Sequence, residues 1–189
     1  MGWILIVLVA MVVFYVVGAY NGLVSLKNQV LNAWKQIDVQ LKRRHDLIPN
    51  LVETVKGAMS FERSTLEAVI SARNRAVSAQ GVAATAKAEG ELSQALGRLF
   101  ALSENYPDLK TASNVLQLQE ELTSTENKIG FARQLYNDVA TQYNTRQMQF
   151  PTNLVAGLAK ASPAELWEIE DAAERAVPKV DLSLNKPPA

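Results

Sequence analysis

The sequence contains no cysteine and a single histidine, His45. The absence of cysteine excludes disulfides, thiol nucleophiles, iron–sulfur clusters and zinc sites built on thiolates. An excess of one charge sign is also missing, because 19 basic side chains balance 19 acidic ones. A general nucleic-acid binder needs a basic excess to displace counterions from phosphates. We therefore expect no nucleic-acid partner, and composition favours a binding or structural protein over an enzyme.

Residues 1–26 carry no charged side chain, and the run from Trp3 to Tyr20 is almost entirely apolar. As a helix this run is ~27 Å long, close to the ~30 Å hydrocarbon core of a bilayer. Soluble helices rarely stay apolar on every face for so long. The pattern predicts a retained single-pass transmembrane anchor over residues 1–26, with the lipid bilayer as its partner. A cleaved signal peptide is the alternative, since residues 17–19 resemble a cleavage site, but no positive n-region precedes them.

The basic residues that follow the apolar run predict its orientation. Lys27, Lys35 and the run 42–44 lie on the C-terminal side, and no Lys or Arg lies on the N-terminal side. By the positive-inside rule, the larger part of the chain is expected in the cytoplasm, attached to the cell (inner) membrane. A periplasmic or otherwise extracytoplasmic position is the alternative.

The remainder of the chain has the periodicity of helices. We find no alternation of period two long enough for a strand. The first apolar stripe continues from the anchor with steps of three and four, and Pro49 is expected to kink it or mark its weakest point before Gly57 ends it. The stripe comprises Leu23, Leu26, Val30, Trp34, Ile37, Leu41, Ile48, Leu51 and Val55.

Three more amphipathic helices and one short helix are predicted. The second has Ser60 as its N-cap, and residues 78–91 are expected to form a loop. A turn at 105–108 separates the third helix from a long fourth helix that ends before Pro151. Ser162–Glu165 reads as a capping box for a short helix that stops at Pro178. The apolar positions are, in the second helix, Phe61, Leu66, Val69, Ile70 and Val77; in the third, Leu92, Leu96, Leu99 and Leu102; in the fourth, Val115, Leu118, Leu122, Ile129, Ala132, Tyr136, Val139 and Tyr143; and in the last, Leu166, Ile169 and Ala173.

These elements predict an all-α fold. It consists of an N-terminal transmembrane helix and an elongated antiparallel bundle of about four main helices plus a short C-terminal helix. We divide the chain into an anchor (1–26), a helical-bundle domain (27–177) and a disordered tail (178–189). Trp34 and Ile37 are expected to pack against the fourth helix near Tyr136 or Val139.

Few residues are candidates for chemistry. His45 lies in the run Lys42–Asp46, lacks partner ligands, and is expected to be a solvated side chain on a basic helix face. Glu120, Glu121 and Glu126 form the densest carboxylate group, but their spacing makes no tight dyad or two-ligand metal face. We identify no catalytic, cofactor-binding or metal-ligating residue, and no cofactor.

Two further patterns concern packing. Residues 27–75 carry +4 and residues 87–126 carry −4, which permits inter-helix ion pairs, and we expect these to be mostly exposed and weak. Polar residues at helical spacing beside Tyr136 and Tyr143 are expected to set register through hydrogen bonds. They are Glu126, Arg133, Asn137 and Asn144.

Ordered sequence blocks resemble the LemA family. They include Tyr20–Val24, Ala33–Arg44, Asp46–Val52, Glu104–Lys110, Leu118–Leu122, Thr125–Ile129, Ala132–Arg133, Tyr136–Asp138 and Phe150–Pro151. The resemblance implies a single-pass bacterial membrane protein with a helical-bundle domain and no firmly assigned activity. Some members of the family carry a lipobox, which would place the domain outside the cytoplasmic membrane. The chain departs from the family at Phe61, where a histidine is usual, so any role of that histidine is not carried over.

Three functions remain open. The favoured one is a membrane-anchored scaffold or adaptor, without catalytic activity, that binds a protein partner or self-associates as a homo-oligomer. The alternative is a membrane-remodelling or lipid-surface-binding protein. A hydrolase or metal enzyme that uses the bundle carboxylates is the third and least favoured.

Overall fold

The structure, a computed structural model, describes residues 2–59 and 61–168, and these residues form helices and no strands. The all-α prediction is confirmed. Four long helices dominate the fold, as predicted, and two short ones join them. The helices are α1 (Gly2–Lys56), α2 (Arg63–Ser78), α3 (Val82–Ser103), α4 (Pro107–Thr111), α5 (Ser113–Met148) and α6 (Thr152–Leu158).

Helix α1 joins the apolar run and the bundle without a break. It has 55 residues, continues through Pro49, and ends just before Gly57. Its N-terminal part is long and apolar enough to cross a membrane, with a mean hydropathy of 2.6 and only 6% of that window buried in the protein. A helix that is apolar on all faces and little buried by other helices is typical of a membrane span.

Helices α1 and α5 run antiparallel along most of the bundle. Trp34 contacts Tyr136 edge-on, with ring centroids 5.6 Å apart, while Arg44, further along α1, meets Glu126, earlier in α5. Ile37 belongs to the same apolar cluster as Tyr136. The predicted packing of Trp34 and Ile37 against the fourth helix is thus confirmed. Helices α2 and α3 form a second antiparallel pair, joined across their surface by Arg75 and Glu91 at 3.0 Å.

The predicted loop over residues 78–91 is wrong, because α3 already begins at Val82. The connection is only three residues long and turns at Gly81, whose φ of +84° favours glycine. Alanine and other good helix formers dominate residues 82–91. The segment lacks an apolar stripe because its buried positions are Thr85 and Glu89, so periodicity could not reveal the helix.

Other boundaries differ less from the prediction. Helix α2 begins at Arg63, and Phe61 is 94% exposed and not part of the buried stripe. Ile70 and Val77 are also exposed, whereas Leu66 and Val69 are buried. The predicted N-cap Ser60 lies outside the described residues. The turn at 105–108 leads into the short helix α4.

The predicted C-terminal helix does not begin at the Ser162 capping box. Residues 161–168 are not helical, because side chains of α5 bind the backbone groups that a helix would pair internally, as described below. The rest of that prediction, including Ile169, Ala173, Pro178 and the tail 178–189, lies outside the described residues.

The core consists of two apolar clusters arranged along the bundle. The first, beside the apolar run of α1, joins α1, α5 and α6 with Trp167. The second, at the far end, joins α1, α2, α3 and the start of α5. The boundary falls on α1 between Leu41 and Ile48, and on α5 between Leu122 and Ile129.

Candidate functional site

A buried ionic network lies at the boundary between the two apolar clusters. Arg44 of α1 places its Nη1 atom 3.1 Å from Glu89 of α3 and 3.0 Å from Glu126 of α5. Its Nη2 atom donates a hydrogen bond of 2.7 Å to the hydroxyl of Ser93. The side chains of Arg44 and Glu89 are each 5% exposed. Buried charges are tolerated only when they are paired and hydrogen-bonded, as they are here.

His45 extends the network to a fourth helix. Its Nε2 atom lies 2.6 Å from the second carboxylate oxygen of Glu89. The Nε atom of Arg73, on α2, donates a hydrogen bond of 3.2 Å to the backbone carbonyl of His45. Consecutive residues of α1 therefore connect α2, α3 and α5 through polar contacts.

A cleft of about 490 Å³ opens above this network. Arg44, Glu89 and Glu126 form part of its wall, together with Arg133 and Trp167. The guanidinium of Arg133 lies over the Trp167 ring, 5.7 Å from the ring centroid, a distance at which the cation and the ring attract. Trp167 also lies 6.0 Å from Trp34, so this side of the cleft is built by the segment that follows α6.

Two asparagines of α5 hold that segment through its backbone. Asn144 donates to the carbonyl of Ala164 at 2.8 Å and accepts from the Ala164 amide at 2.7 Å. Asn137 makes the same pair of bonds with Trp167, at 2.9 and 2.8 Å. We call Asn137 and Asn144 the asparagine clamp. The two residues are two helical turns apart, ~10.5 Å along α5, which matches the ~10 Å that three residues of extended chain cover.

Tyr136 supplies a further contact to the same segment. Its hydroxyl donates a hydrogen bond of 2.6 Å to the backbone carbonyl of Glu165. Burial, with a smaller contribution from the Glu165 charge, raises the pKa of Tyr136 above its usual value of 10.0. Burial also raises the pKa of Tyr143. Both tyrosines therefore stay neutral over the physiological pH range.

The predictions for the basic run need correction. His45 was expected to be solvated, but it is buried against Glu89. Arg44, in the same basic run, is also buried, because helix α1 directs both residues toward α3, where Arg44 pairs with Glu89. The ion pairs between residues 27–75 and 87–126 exist, but the central one is buried and not exposed as expected.

The predicted carboxylate group is not a unit in the structure. Glu126 joins Arg44, Glu121 lies 4.0 Å from Arg43 at the surface, and Glu120 borders a different surface groove. Sequence reasoning missed Glu89, which is the most deeply buried acid of the network, because it lies in the segment predicted to be a loop. The predicted hydrogen-bonding role of Asn137 and Asn144 is confirmed, although their partner is a non-helical segment and not another helix.

The geometry of the network favours a structural role, in which the contacts lock the helices together, over a catalytic one. Glu89 and Glu126 each direct a carboxylate oxygen to the same guanidinium nitrogen, and the other oxygen of Glu89 faces His45. Within residues 2–59 and 61–168, no three or more His, Asp or Glu side chains are grouped so that they could hold a metal ion. The contacts therefore fix how four helices pack against one another.

A second surface lies on the opposite side of α5. Val39 is 62% exposed and Phe131 is 74% exposed, and with Leu135 they line a groove of about 470 Å³ between α1 and α5. Lys35 and Lys128 border this groove. We call it the α1/α5 groove. Phe131 also lines an adjoining groove that extends along α5 to Leu116.

The apolar run of α1 and the helical bundle together define a membrane-associated all-α protein. The chain belongs to the LemA family, whose sequence profile matches residues 33–182. It is 31% identical to the protein named LemA of Metamycoplasma hominis over 145 residues, which are 76% of this chain and 66% of that protein.

Other relatives are magnetosome proteins. The chain is 24% identical to magnetosome protein MamQ 2 of Paramagnetospirillum magneticum over 181 residues, covering 82% of this chain and 66% of the relative. It is also 24% identical to magnetosome protein MamQ of Magnetospirillum gryphiswaldense, covering 72% of this chain and 60% of the relative. The chain thus spans slightly less than two thirds of the length of the curated relatives it matches.

Proposed function

We propose that this protein is a membrane-anchored scaffold that presents the α1/α5 groove to a protein partner at a fixed distance from the bilayer. The observation that carries the proposal is the continuity of α1, which contributes both the apolar run and Val39. Val39 is 19 residues beyond Tyr20, or ~28 Å along a straight helix. A continuous helix packed on α5 holds this distance, whereas a flexible linker would not.

The chemistry of the groove indicates the kind of partner. Val39, Phe131 and Leu135 provide exposed apolar area in a concave strip between two helices. Such a strip fits the apolar face of an amphipathic helix. Lys35 and Lys128 at the border favour acidic residues on the flanks of that helix. The partner can be another protein or a second copy of this chain, and the experiment below distinguishes them.

Site-specific photo-crosslinking in native membranes tests the proposal. A photoreactive amino acid replaces Phe131 in the full chain, and the matched control replaces Phe61, which is 94% exposed outside the groove. We expect a discrete crosslinked product from position 131 only, which is lost when Val39→Asp and Leu135→Asp are added. A product at twice the chain mass of 20.7 kDa identifies a second copy. The same products from both positions would refute the proposal.

A short deletion that keeps the buried core residues tests the anchor. Removing residues 1–26 would also remove the buried residues Ala19 and Leu23. Deleting residues 2–14 retains both, and residues 15–26 then extend only ~18 Å as a helix, too short to cross ~30 Å of hydrocarbon. We expect this variant to fold, to leave the membrane fraction and to lose the crosslink at Phe131. An unchanged crosslink would show that anchoring is not required.

We further propose that the bundle faces the cytoplasm, on the strength of the basic residues that follow the apolar run. The chain has no cysteine, so Gln80→Cys introduces a single thiol in the exposed connection between α2 and α3. We expect this thiol to resist a membrane-impermeant reagent in intact cells and to react after permeabilisation. Labelling in intact cells would place the bundle on the other side of the membrane.

One observation favours the lipid-surface-binding alternative: α6 packs beside the apolar run of α1, where the hydroxyl of Tyr15 lies 3.3 Å from that of Thr152.

A further inference from the structure

The turn between α5 and α6 lies beside the apolar run of α1. The hydroxyl of Tyr15 is 3.3 Å from the hydroxyl oxygen of Thr152. Leu23 of α1 shares an apolar cluster with Ala156 of α6. Helix α6 therefore packs along α1 at the level of residues 15–23, which includes the last part of the run from Trp3 to Tyr20.

The position of Tyr15 within the run fixes its depth. If the ~27 Å run from Trp3 to Tyr20 crosses the ~30 Å hydrocarbon core, Tyr15 lies five residues, or ~7.5 Å, inside the C-terminal end of the run. Tyr15 is therefore within the hydrocarbon or at its boundary. Thr152, bonded to Tyr15, is then at the same depth, and α6 reaches the membrane surface.

The composition of residues 147–159, which include α6, suits a position at the membrane surface. Residues 147–159 contain no charged side chain, and this is the longest uncharged stretch after residues 1–26. Arg146 and Lys160 flank it. Basic side chains at the ends of an apolar segment can reach the headgroups with their charges while their aliphatic parts stay in the apolar layer.

Three apolar side chains of the turn face away from the protein. Met148 is 74% exposed, Phe150 is 80% exposed and Leu154 is 66% exposed. The opposite side of α6 is buried through Thr152, Val155 and Ala156. The element thus has one face fixed on α1 and α5 and one large apolar face without a protein neighbour among the described residues.

We propose that residues 147–159, which we call the membrane-contact turn, insert into the headgroup and acyl-chain boundary of the bilayer beside the anchor. The occupant of the exposed face is lipid, because α6 packs beside the apolar run of α1 and basic residues flank the segment. This inference rests on the anchor assigned under the proposed function. Its consequence is a second contact with the bilayer, too small to hold the protein there without the anchor, which fixes the tilt and rotation of the bundle relative to the membrane.

Depth-dependent fluorescence quenching tests this inference on the full chain. Leu154→Cys carries an environment-sensitive fluorophore in proteoliposomes of phosphatidylethanolamine and phosphatidylglycerol, with nitroxide lipids labelled at shallow or deep acyl positions. Leu8→Cys reports the anchor. Leu116→Cys is the matched control, since this leucine is 49% exposed on α5 at the opposite end of the bundle.

We expect the fluorophore at position 154 to be quenched more strongly by the shallow nitroxide than by the deep one. The fluorophore at position 8 should be quenched by the deep nitroxide, and the one at position 116 by neither. Quenching at 8 without quenching at 154 would refute the membrane-contact turn and leave the anchor intact. A blue-shifted but unquenched signal at 154 would mean that protein covers the face, and would also refute it. No quenching at 8 would refute the anchor and, with it, this inference. Phe150→Cys repeats the measurement at the second exposed apolar position.

Discussion

Arg44 and Glu89 form an ion pair of 3.1 Å in which both side chains are 5% exposed. They lie 45 residues apart in the sequence, on α1 and α3, and Glu126 of α5 completes the arrangement. The network divides an otherwise apolar bundle into two clusters. A polar layer of this kind restricts the register of the helices, because a shift along any one of them would leave a buried charge without its partner.

The first prediction concerns this network. Glu89→Ala leaves Arg44 and His45 without their shared carboxylate, and removing one partner of a buried pair costs ~3–5 kcal/mol. We expect a correspondingly large fall in the free energy of unfolding of the detergent-solubilised full chain, followed by circular dichroism. The control is Glu121→Ala, whose side chain is 36% exposed and 4.0 Å from Arg43, and which should change stability by ~0–1 kcal/mol. Equal effects of the two substitutions would contradict an interlocking role.

The second prediction concerns the packing of α1 on α5. Trp34 is half-buried and contacts both Tyr136 and Trp167, so Trp34→Ala removes both aromatic contacts. We expect a loss of ~2–5 kcal/mol, the range for large-to-alanine changes in a core, measured by the same unfolding assay. Phe61→Ala, at a position 94% exposed, is the control and should be close to neutral. A neutral Trp34→Ala would show that Trp34 is a surface residue.

The third prediction concerns the asparagine clamp. Asn144→Ala removes both hydrogen bonds to Ala164, and each buried polar group left without a partner costs ~1–3 kcal/mol. We expect faster hydrogen exchange at the amides of Ala164 and Trp167, with little change in the exchange of α5. Asn127→Ala, at an exposed position of the same helix, is the control. Unchanged protection of the Ala164 amide in Asn144→Ala would mean that other contacts hold the segment.

The fourth prediction concerns pH. The pKa of Tyr136 is raised in the folded protein, mainly by burial, so the folded state retains the phenol proton to higher pH than the unfolded state. The stability that this provides is complete below pH 10.0 and is lost as the pH rises through the folded pKa. We expect the free energy of unfolding to fall with pH above about 10 in the original protein.

Tyr136→Phe isolates this contribution from other groups that titrate at high pH. The variant loses the hydrogen bond to Glu165, so its stability is lower at neutral pH. Its decline above pH 10.0 should nevertheless be shallower than that of the original protein. A decline of the same slope in both proteins would show that Tyr136 does not titrate differently in the folded and unfolded states.

The sequence alone determined the helical class and the pairing of the two longest helices. The steps of three and four in the stripe around Ile37 and in the one around Ile129 specify amphipathic helices, since only such periodicity places apolar side chains on one face. The uncharged run 1–26 likewise specified an apolar helix, because its composition is a local property of the sequence. The contact between Trp34 and Tyr136 followed because two long stripes must bury each other.

Tertiary structure decided which buried polar groups pair with each other. Glu89 and His45 look like solvated polar side chains in a local window, and only the meeting of α1 with α3 shows that each buries the other. The helix over residues 82–91 was hidden because a charge and not an apolar side chain occupies its buried position. The Ser162 capping box is a valid local signal for a helix start, but Asn137 and Asn144 bind the backbone of this segment through non-local hydrogen bonds instead. The local sequence pattern determines where helices form, whereas the pairing of buried polar groups depends on which helices pack against each other.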